Sequence, residues 1–150
     1  MANNSQAHRF VDELTSTMKI DPDAFSPKTS VNRLDSLSYA LAGWLYMLRR
    51  QKNTRIQAVA TLLVGALALW LEVDYTGLAL LVLAITMVWM AEFINAAVEA
   101  AINLSAPYVH PMAKVGKDVA SAAVLLGAVA AALVGLLILG PPLLARLAGG

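Results

Sequence analysis

The sequence predicts an all-α integral membrane protein, and three observations carry that prediction. Of 150 residues, 59% are hydrophobic and only 14% are charged, for a mean hydropathy of +0.65, far more apolar than a soluble domain of this length. Three apolar segments are long enough to cross a bilayer, where a helix needs about 17 to 25 residues. Basic residues cluster on one side of those segments. Other classes drop out early. The chain has no cysteine, which excludes a disulfide framework and a Cys-ligated metal centre. A net charge of +1 without a basic, aromatic-studded stripe gives no reason to expect nucleic acid as a partner. Residues 1–30 lack the apolar run of a cleavable signal peptide.

Taken in order, residues 1–33 form a polar extension containing Asp21-Pro22 and Ser26-Pro27, and residues 34–150 form the membrane domain. Its first element, over about residues 34–50, mixes Leu37, Tyr39, Leu41, Trp44, Leu45 and Leu48 with Asp35, Ser36 and Ser38, and ends in Arg49-Arg50. This pattern predicts an amphipathic helix lying on the cytoplasmic leaflet, with Tyr39, Trp44 and Tyr46 at headgroup level, and it is too short to be favoured as a span. Spanning helices follow at about 56–73, 75–102 and 119–139. Little more than Asp74 separates the first two, so they make a tight hairpin. Gly140-Pro141-Pro142 is expected to stop the third, because a proline inside a helix removes a ladder hydrogen bond.

Arg49, Arg50, Lys52 and Arg55 precede the first span, Lys114 and Lys117 lie between the second and third, and the hairpin tip Glu72-Val73-Asp74 is acidic. The positive-inside rule puts the N-terminus and the second connection in the cytoplasm. Arg146 is the one basic residue on the far side.

The most informative stretch is Ala91 to Asn103, AEFINAAVEAAIN. Tyr75 to Ala91 carries no charge, after which Glu92, Asn95, Glu99 and Asn103 fall within roughly one quadrant of the helix at about 100° per residue. Glu92 lies roughly 25 Å along an apolar layer about 30 Å thick, at its inner edge, and Glu99 lies about 10 Å farther toward the cytoplasm. A helix simply emerging into water accounts for Glu99. It does not account for Glu92, since a carboxylate near hydrocarbon costs up to about 3 kcal/mol and normally has a partner or a task. His110, Lys114, Lys117 and Asp118 recur at helical spacing before the third span, with Pro111 suited to a first turn. An acidic and a basic face at one membrane depth can make an anion and metal site; ordinary interfacial lysine anchoring is the plainer account of the basic face.

The run Glu92-Phe93-Ile94-Asn95-Ala96-Ala97-Val98-Glu99, then His110-Pro111-Met112-Ala113-Lys114-Val115-Gly116-Lys117-Asp118 and Ala122-Ala123-Val124-Leu125, resembles the small bacterial membrane lipid kinases, the diacylglycerol and undecaprenol kinase family. The resemblance covers roughly residues 34–140, including Tyr39-Ala40, Gly43 and Asn53-Thr54-Arg55-Ile56. It implies a homotrimer in the bacterial inner membrane with cytoplasm-facing sites. The implied reaction is transfer of the γ-phosphoryl group of Mg-ATP to the hydroxyl of a membrane lipid, diacylglycerol or undecaprenol. The chain has no Walker-type loop or soluble-kinase motif, so the base, the metal and the phosphate-binding cations must come from elsewhere.

On this resemblance Glu92 is the base and Asn95 positions the hydroxyl, while Glu99, joined by Gln51, holds Mg²⁺. Lys117, Asp118, His110 and Arg55 serve the nucleotide, with Asp118 orienting Lys117 or the nucleotide, and Trp44, Tyr39 and Glu92 meet the lipid. Two departures stand out: Gln51 replaces a metal-binding glutamate common in the family, and Gln57 replaces a histidine. Asn103 stands where some relatives carry Asp. A kinase-like protein that binds lipid or nucleotide with little or no turnover is the alternative, and a purely structural membrane oligomer is a third reading.

Overall fold

The computed structural model describes residues 33–106, 108 and 110–149; apart from Arg33, the polar extension expected over 1–33 lies outside them. The regular structure of the described residues is helical: α1 Arg33–Arg50, α2 Lys52–Trp70, α3 Tyr75–Ser105 and α4 Pro111–Ala148. The chain divides into two compact units after Gly43, inside α1. In the first, the Ser38 hydroxyl donates to the Asp35 carbonyl at 2.7 Å, and Leu34, Leu37, Tyr39 and Leu41 are exposed. The second, from Trp44 onward, contains α2, α3 and α4.

Within this second unit, α3 and α4 pack antiparallel along most of their length, while α2 touches each of them less. Two glycines set how closely α3 and α4 approach. A Cβ on Gly77 would come within 2.6 Å of Val73 Cγ1 and 3.1 Å of Ile138 Cγ2, so the first turn of α3 meets α4 only because this side chain is missing. At the other end of the pair a Cβ on Gly116 would come within 2.8 Å of Ile102 Cδ1. The buried core, Ala68, Leu71, Leu81 and Leu139, gathers at the hairpin-tip end, with Leu67, Val73, Ile138 and Leu143 packed against it.

The tip between α2 and α3 is built from backbone hydrogen bonds. Val73 N–H donates to Ala68 O at 3.1 Å and Glu72 N–H to Leu69 O at 3.2 Å, the double bond of a Schellman stop with Glu72 at its left-handed position. Glu72 has φ of 55°, a conformation glycine adopts at far lower cost. The apolar contact that normally accompanies this motif is supplied by Leu67 and Val73, both against the core. Asp74 then caps α3, its Oδ1 accepting from Gly77 N–H at 3.1 Å.

One sequence expectation changes here. Gly140-Pro141-Pro142 does not end α4, which runs on to Ala148 with both prolines inside it. Gly140 has no Cβ to clash with the following proline ring, and proline's own φ is already helical. The extra turns are also held in place: Leu143 packs on the core, and the Arg146 guanidinium donates to the Trp70 carbonyl while lying 4.8 Å from the centre of the Trp70 ring. Arg146 thus occupies a carbonyl left open at the end of α2, where the helix dipole favours a cation. That gives the basic residue on the acidic side a local reason.

Of the three expected spans, those on α3 and α4 are matched by helices long and apolar enough to cross a membrane, two such helices among the described residues. The expected span on α2 does not reach the same apolarity because Lys52, Asn53, Arg55 and Gln57 crowd its first turns. Outward faces are apolar throughout: Leu62 and Leu63 on α2, Leu83 on α3, and Leu126 and Leu137 on α4 are all exposed, Leu137 at 76%. A folded chain presents such faces to hydrocarbon rather than to water.

Because Glu72 is held in the left-handed region, Glu72→Gly should stabilise the hairpin by about 0.5–1 kcal/mol. Thermal unfolding in detergent micelles should show a raised midpoint, and an unchanged or lowered one contradicts this account of the tip.

Candidate active site

The α2–α3 hairpin brings the first turn of α2 beside the carboxylate of α3. Counted outward from the tip, Asn53 lies as far from Trp70 as Glu92 lies from Tyr75, so the two arms place them at one level. Glu92 is buried, with 4% of its surface exposed, and the Asn53 side chain lies beside it. Both line one end of a cleft of about 750 Å³ between α2, α3 and α4. Gln57 and Thr61 add polar groups near that end, and the rest of the lining is apolar, from Ile56 and Val88 to Leu139 and Leu143. The buried Gln57 Nε2 has no hydrogen-bond partner among the described residues, nor does the hydroxyl of Thr54, which is 0% exposed. The cleft therefore has one polar mouth and a long apolar body.

Beside the mouth an aromatic group braces the hairpin. The Trp89 indole N–H donates to Thr61 Oγ1 at 3.1 Å, tying α3 to α2. The Trp44 ring lies 4.7 Å from that of Trp89 and 5.0 Å from that of Phe93, tilted arrangements that aromatic pairs favour. Trp44, expected to meet lipid, is thus also packed onto the face of α3 that carries Glu92.

Asn95 and Glu99 lie nearby but face differently. Asn95 Nδ2 donates to Glu99 Oε1 at 3.4 Å, and Asn95 lines a separate, smaller cavity with Met87, Ile94 and Ala120 rather than the cleft that Glu92 lines. The offset of about 60° between positions 92 and 95 is enough to turn them toward different neighbours on a helix that packs on two others. Asn95 Oδ1 is buried and has no partner among the described residues. Among the described residues no three His, Cys, Asp or Glu side chains converge where they could hold a metal ion. Gln51 sits half-buried at the junction of α1 and α2, its N–H donating to Met47 O at 2.9 Å.

The basic face on α4 resolves into two different lysines. Lys114 pairs with Asp118 one turn on, so Asp118 meets Lys114 and not Lys117. Lys117 instead donates to Asn103 Oδ1, at 2.7 Å. His110 caps α4, its Nδ1 accepting from Met112 N–H at 3.2 Å, with Pro111 opening the helix. Arg55 is exposed on the first turn of α2, and Tyr39 is exposed on α1.

The structure thus joins Glu92 to Asn53, Glu99 to Asn95, and Lys117 to Asn103. Sequence reading had assigned no role to Asn53 or to Gln57 in the cleft. The signal was present in the hairpin count: a polar residue on one arm opposite a lone carboxylate on the other.

The sequence matches the prokaryotic diacylglycerol kinase family over residues 38–139. It is similar to a diacylglycerol kinase of Synechocystis sp., 39% identical over 114 residues, which are 75% of this chain and 65% of that protein. A diacylglycerol kinase of Escherichia coli is 35% identical over 77 residues, 51% of this chain and 63% of that one. One of Pseudomonas aeruginosa is 29% identical over 105 residues, 69% of this chain and 85% of that one. The chain thus spans just under two thirds of the length of the first two relatives.

His110 caps α4, and the family resemblance leads one to expect it beside a nucleotide as well. His110→Ala should cost about 1 kcal/mol of stability through the lost cap, and His110→Asn, which can still cap, should restore it. If catalysis returns with stability in the Asn variant, the cap is the whole role. If stability returns and nucleotide affinity does not, the imidazole itself meets the nucleotide.

Proposed function

The chain belongs to the prokaryotic diacylglycerol kinase family, and from that premise we propose that it is an ATP-dependent lipid kinase which phosphorylates the hydroxyl of diacylglycerol at the cytoplasmic face of the bacterial inner membrane. One observation carries this reading: a buried carboxylate, Glu92, stands at the polar mouth of an otherwise apolar cleft. A lipid with a single hydroxyl near its headgroup has the same division. Its chain would lie along the apolar body, and its hydroxyl would sit beside Glu92, with Gln57 offering an amide donor to a neighbouring lipid oxygen.

In the reaction the lipid oxygen attacks the γ-phosphorus of ATP as the bond from that phosphorus to the bridging oxygen breaks. ADP leaves, and the hydroxyl proton passes to a Glu92 oxygen and then to solvent. Asn53, beside Glu92, would orient the carboxylate toward the hydroxyl. Positioning and electrostatics supply most of the catalysis in phosphoryl transfer. Lys117 would contact phosphate oxygens, with Arg55 and His110 as further nucleotide contacts. Glu99 fits Mg²⁺: it is a half-buried carboxylate beside Asn95, whose buried Oδ1 lacks a partner among the described residues, and both are hard oxygen donors. Mg²⁺ commonly takes one or two carboxylates and completes its shell with phosphates and water. When bound it would neutralise phosphate charge. Gln51 could add only a neutral amide oxygen to that shell.

Asn95 faces a different cavity from Glu92, so in this reading it serves the metal-side group with Glu99 and not the lipid hydroxyl. The third span belongs to the same proposal. The part of α2 from Asn53 to Trp70 is as long as the part of α3 from Tyr75 to Glu92 that it runs beside, roughly 25 Å at about 1.5 Å per residue. Its polar first turn then lies at the cytoplasmic boundary. A homotrimer is the assembly expected for this family, and undecaprenol is the competing acceptor.

Glu92→Gln should lower turnover by at least about a hundredfold, because a base acts in the transition state, while leaving membrane insertion and nucleotide binding intact. Initial rates with diacylglycerol in mixed micelles test this. Turnover within about tenfold of the unaltered protein removes Glu92 from the base role.

A further inference from the structure

Lys114 and Lys117 lie on the same stretch of α4 and carry the same charge, yet their partners differ. Lys114 pairs with Asp118 one turn on. The Lys117 ammonium is held by the amide oxygen of Asn103, 2.7 Å away on α3. A carboxylate partner would cancel the charge of the ammonium; an amide oxygen fixes its position and leaves the charge whole. The contact joins two helices rather than two turns of one helix, and it sits where they come close, Gly116 on α4 facing Ile102 on α3. Asn103 also lies one turn beyond Glu99 on the same stripe of α3. The cation is therefore held at the edge of the group that ends in the metal-side carboxylate.

We infer that Asn103 is a positioning residue for the nucleotide: its amide oxygen holds the Lys117 ammonium, uncompensated, where the phosphates of ATP arrive. This rests on the kinase reading above. It also explains which lysine serves. A phosphate arriving at Lys114 meets a neighbouring aspartate, whereas one arriving at Lys117 exchanges a neutral acceptor for an anionic one, the stronger partner for an ammonium.

The test is a double-mutant cycle on Mg-ATP in detergent micelles, with KM and kcat measured separately and the affinity for a non-hydrolysable ATP analogue measured directly. Asn103→Leu removes the acceptor at similar size on an exposed helix position. It should raise KM and the analogue Kd by about three- to tenfold with kcat within about twofold. Asn103→Gln, which keeps an amide oxygen, should recover part of that loss.

In a Lys117→Ala background Asn103→Leu should have no further effect, since a residue acting through Lys117 loses its influence with it. Additive losses in that background, or an unchanged Kd for Asn103→Leu, overturn the inference. If Lys117→Ala alone binds the analogue as tightly as the unaltered protein, the assignment of Lys117 to the nucleotide falls and this inference falls with it. If Lys117→Ala weakens binding and Asn103→Leu does not, the kinase reading stands and only the role of Asn103 is lost.

Discussion

A carboxylate inside an otherwise uncharged helix must be answered by something, and the arrangement of this protein follows from how Glu92 is answered. Glu92 ends the uncharged run of α3, and near hydrocarbon a bare charge there is costly. The hairpin places the polar first turn of α2 alongside it, with the Asn53 amide beside the carboxylate. Shielding the group this way leaves α2 polar where it meets Glu92 and apolar beyond. That is why the cleft between the helices has a polar mouth and an apolar body. The same division makes the cleft suited to an amphiphile.

The rest of the fold serves to hold that mouth at a fixed depth. The core lies at the opposite end, around Ala68, Leu71, Leu81 and Leu139, so the tip is the tightly packed end and the mouth is the end with polar side chains to spare. Glu72 takes a left-handed backbone conformation so that α2 can stop and α3 can start within four residues. Trp89 and Thr61 then tie the two arms together partway along. At the far end of α3, Lys117 and Asn103 join α3 to α4 through a polar contact, where an apolar one would serve packing equally well. A polar contact at that point suits a surface that exchanges partners with an anion.

Much of this was legible in the sequence, and the failures have physical causes. The stripe from Glu92 to Asn103 and the start of α4 at His110-Pro111 are local features, written in helical spacing and capping chemistry, and local features read well. The run of α4 through Pro141 and Pro142 was not legible, because it depends on Gly140 relieving one clash and on Leu143 and Arg146 finding partners far away in sequence, at the core and at Trp70. The split between Glu92 and Asn95 was hidden for a related reason. Helical spacing says they are neighbours on one face, and only the placement of α2 and α4 decides that this face is shared between two cavities. The pairing of Lys114 with Asp118 follows the ordinary rule for residues one turn apart, and applying it would have left Lys117 as the lysine whose charge is not cancelled.

The central claim is that the cleft presents a lipid hydroxyl to a phosphoryl donor. It is tested most directly by incubating the purified full chain with γ-labelled ATP, Mg²⁺ and mixed micelles containing diacylglycerol or undecaprenol, and following the label into the lipid phase. The account predicts labelled phosphatidate, formed in step with ADP, at a higher rate than any labelled polyprenyl phosphate. Label confined to ATP or to inorganic phosphate, with the lipid left unlabelled, would contradict it.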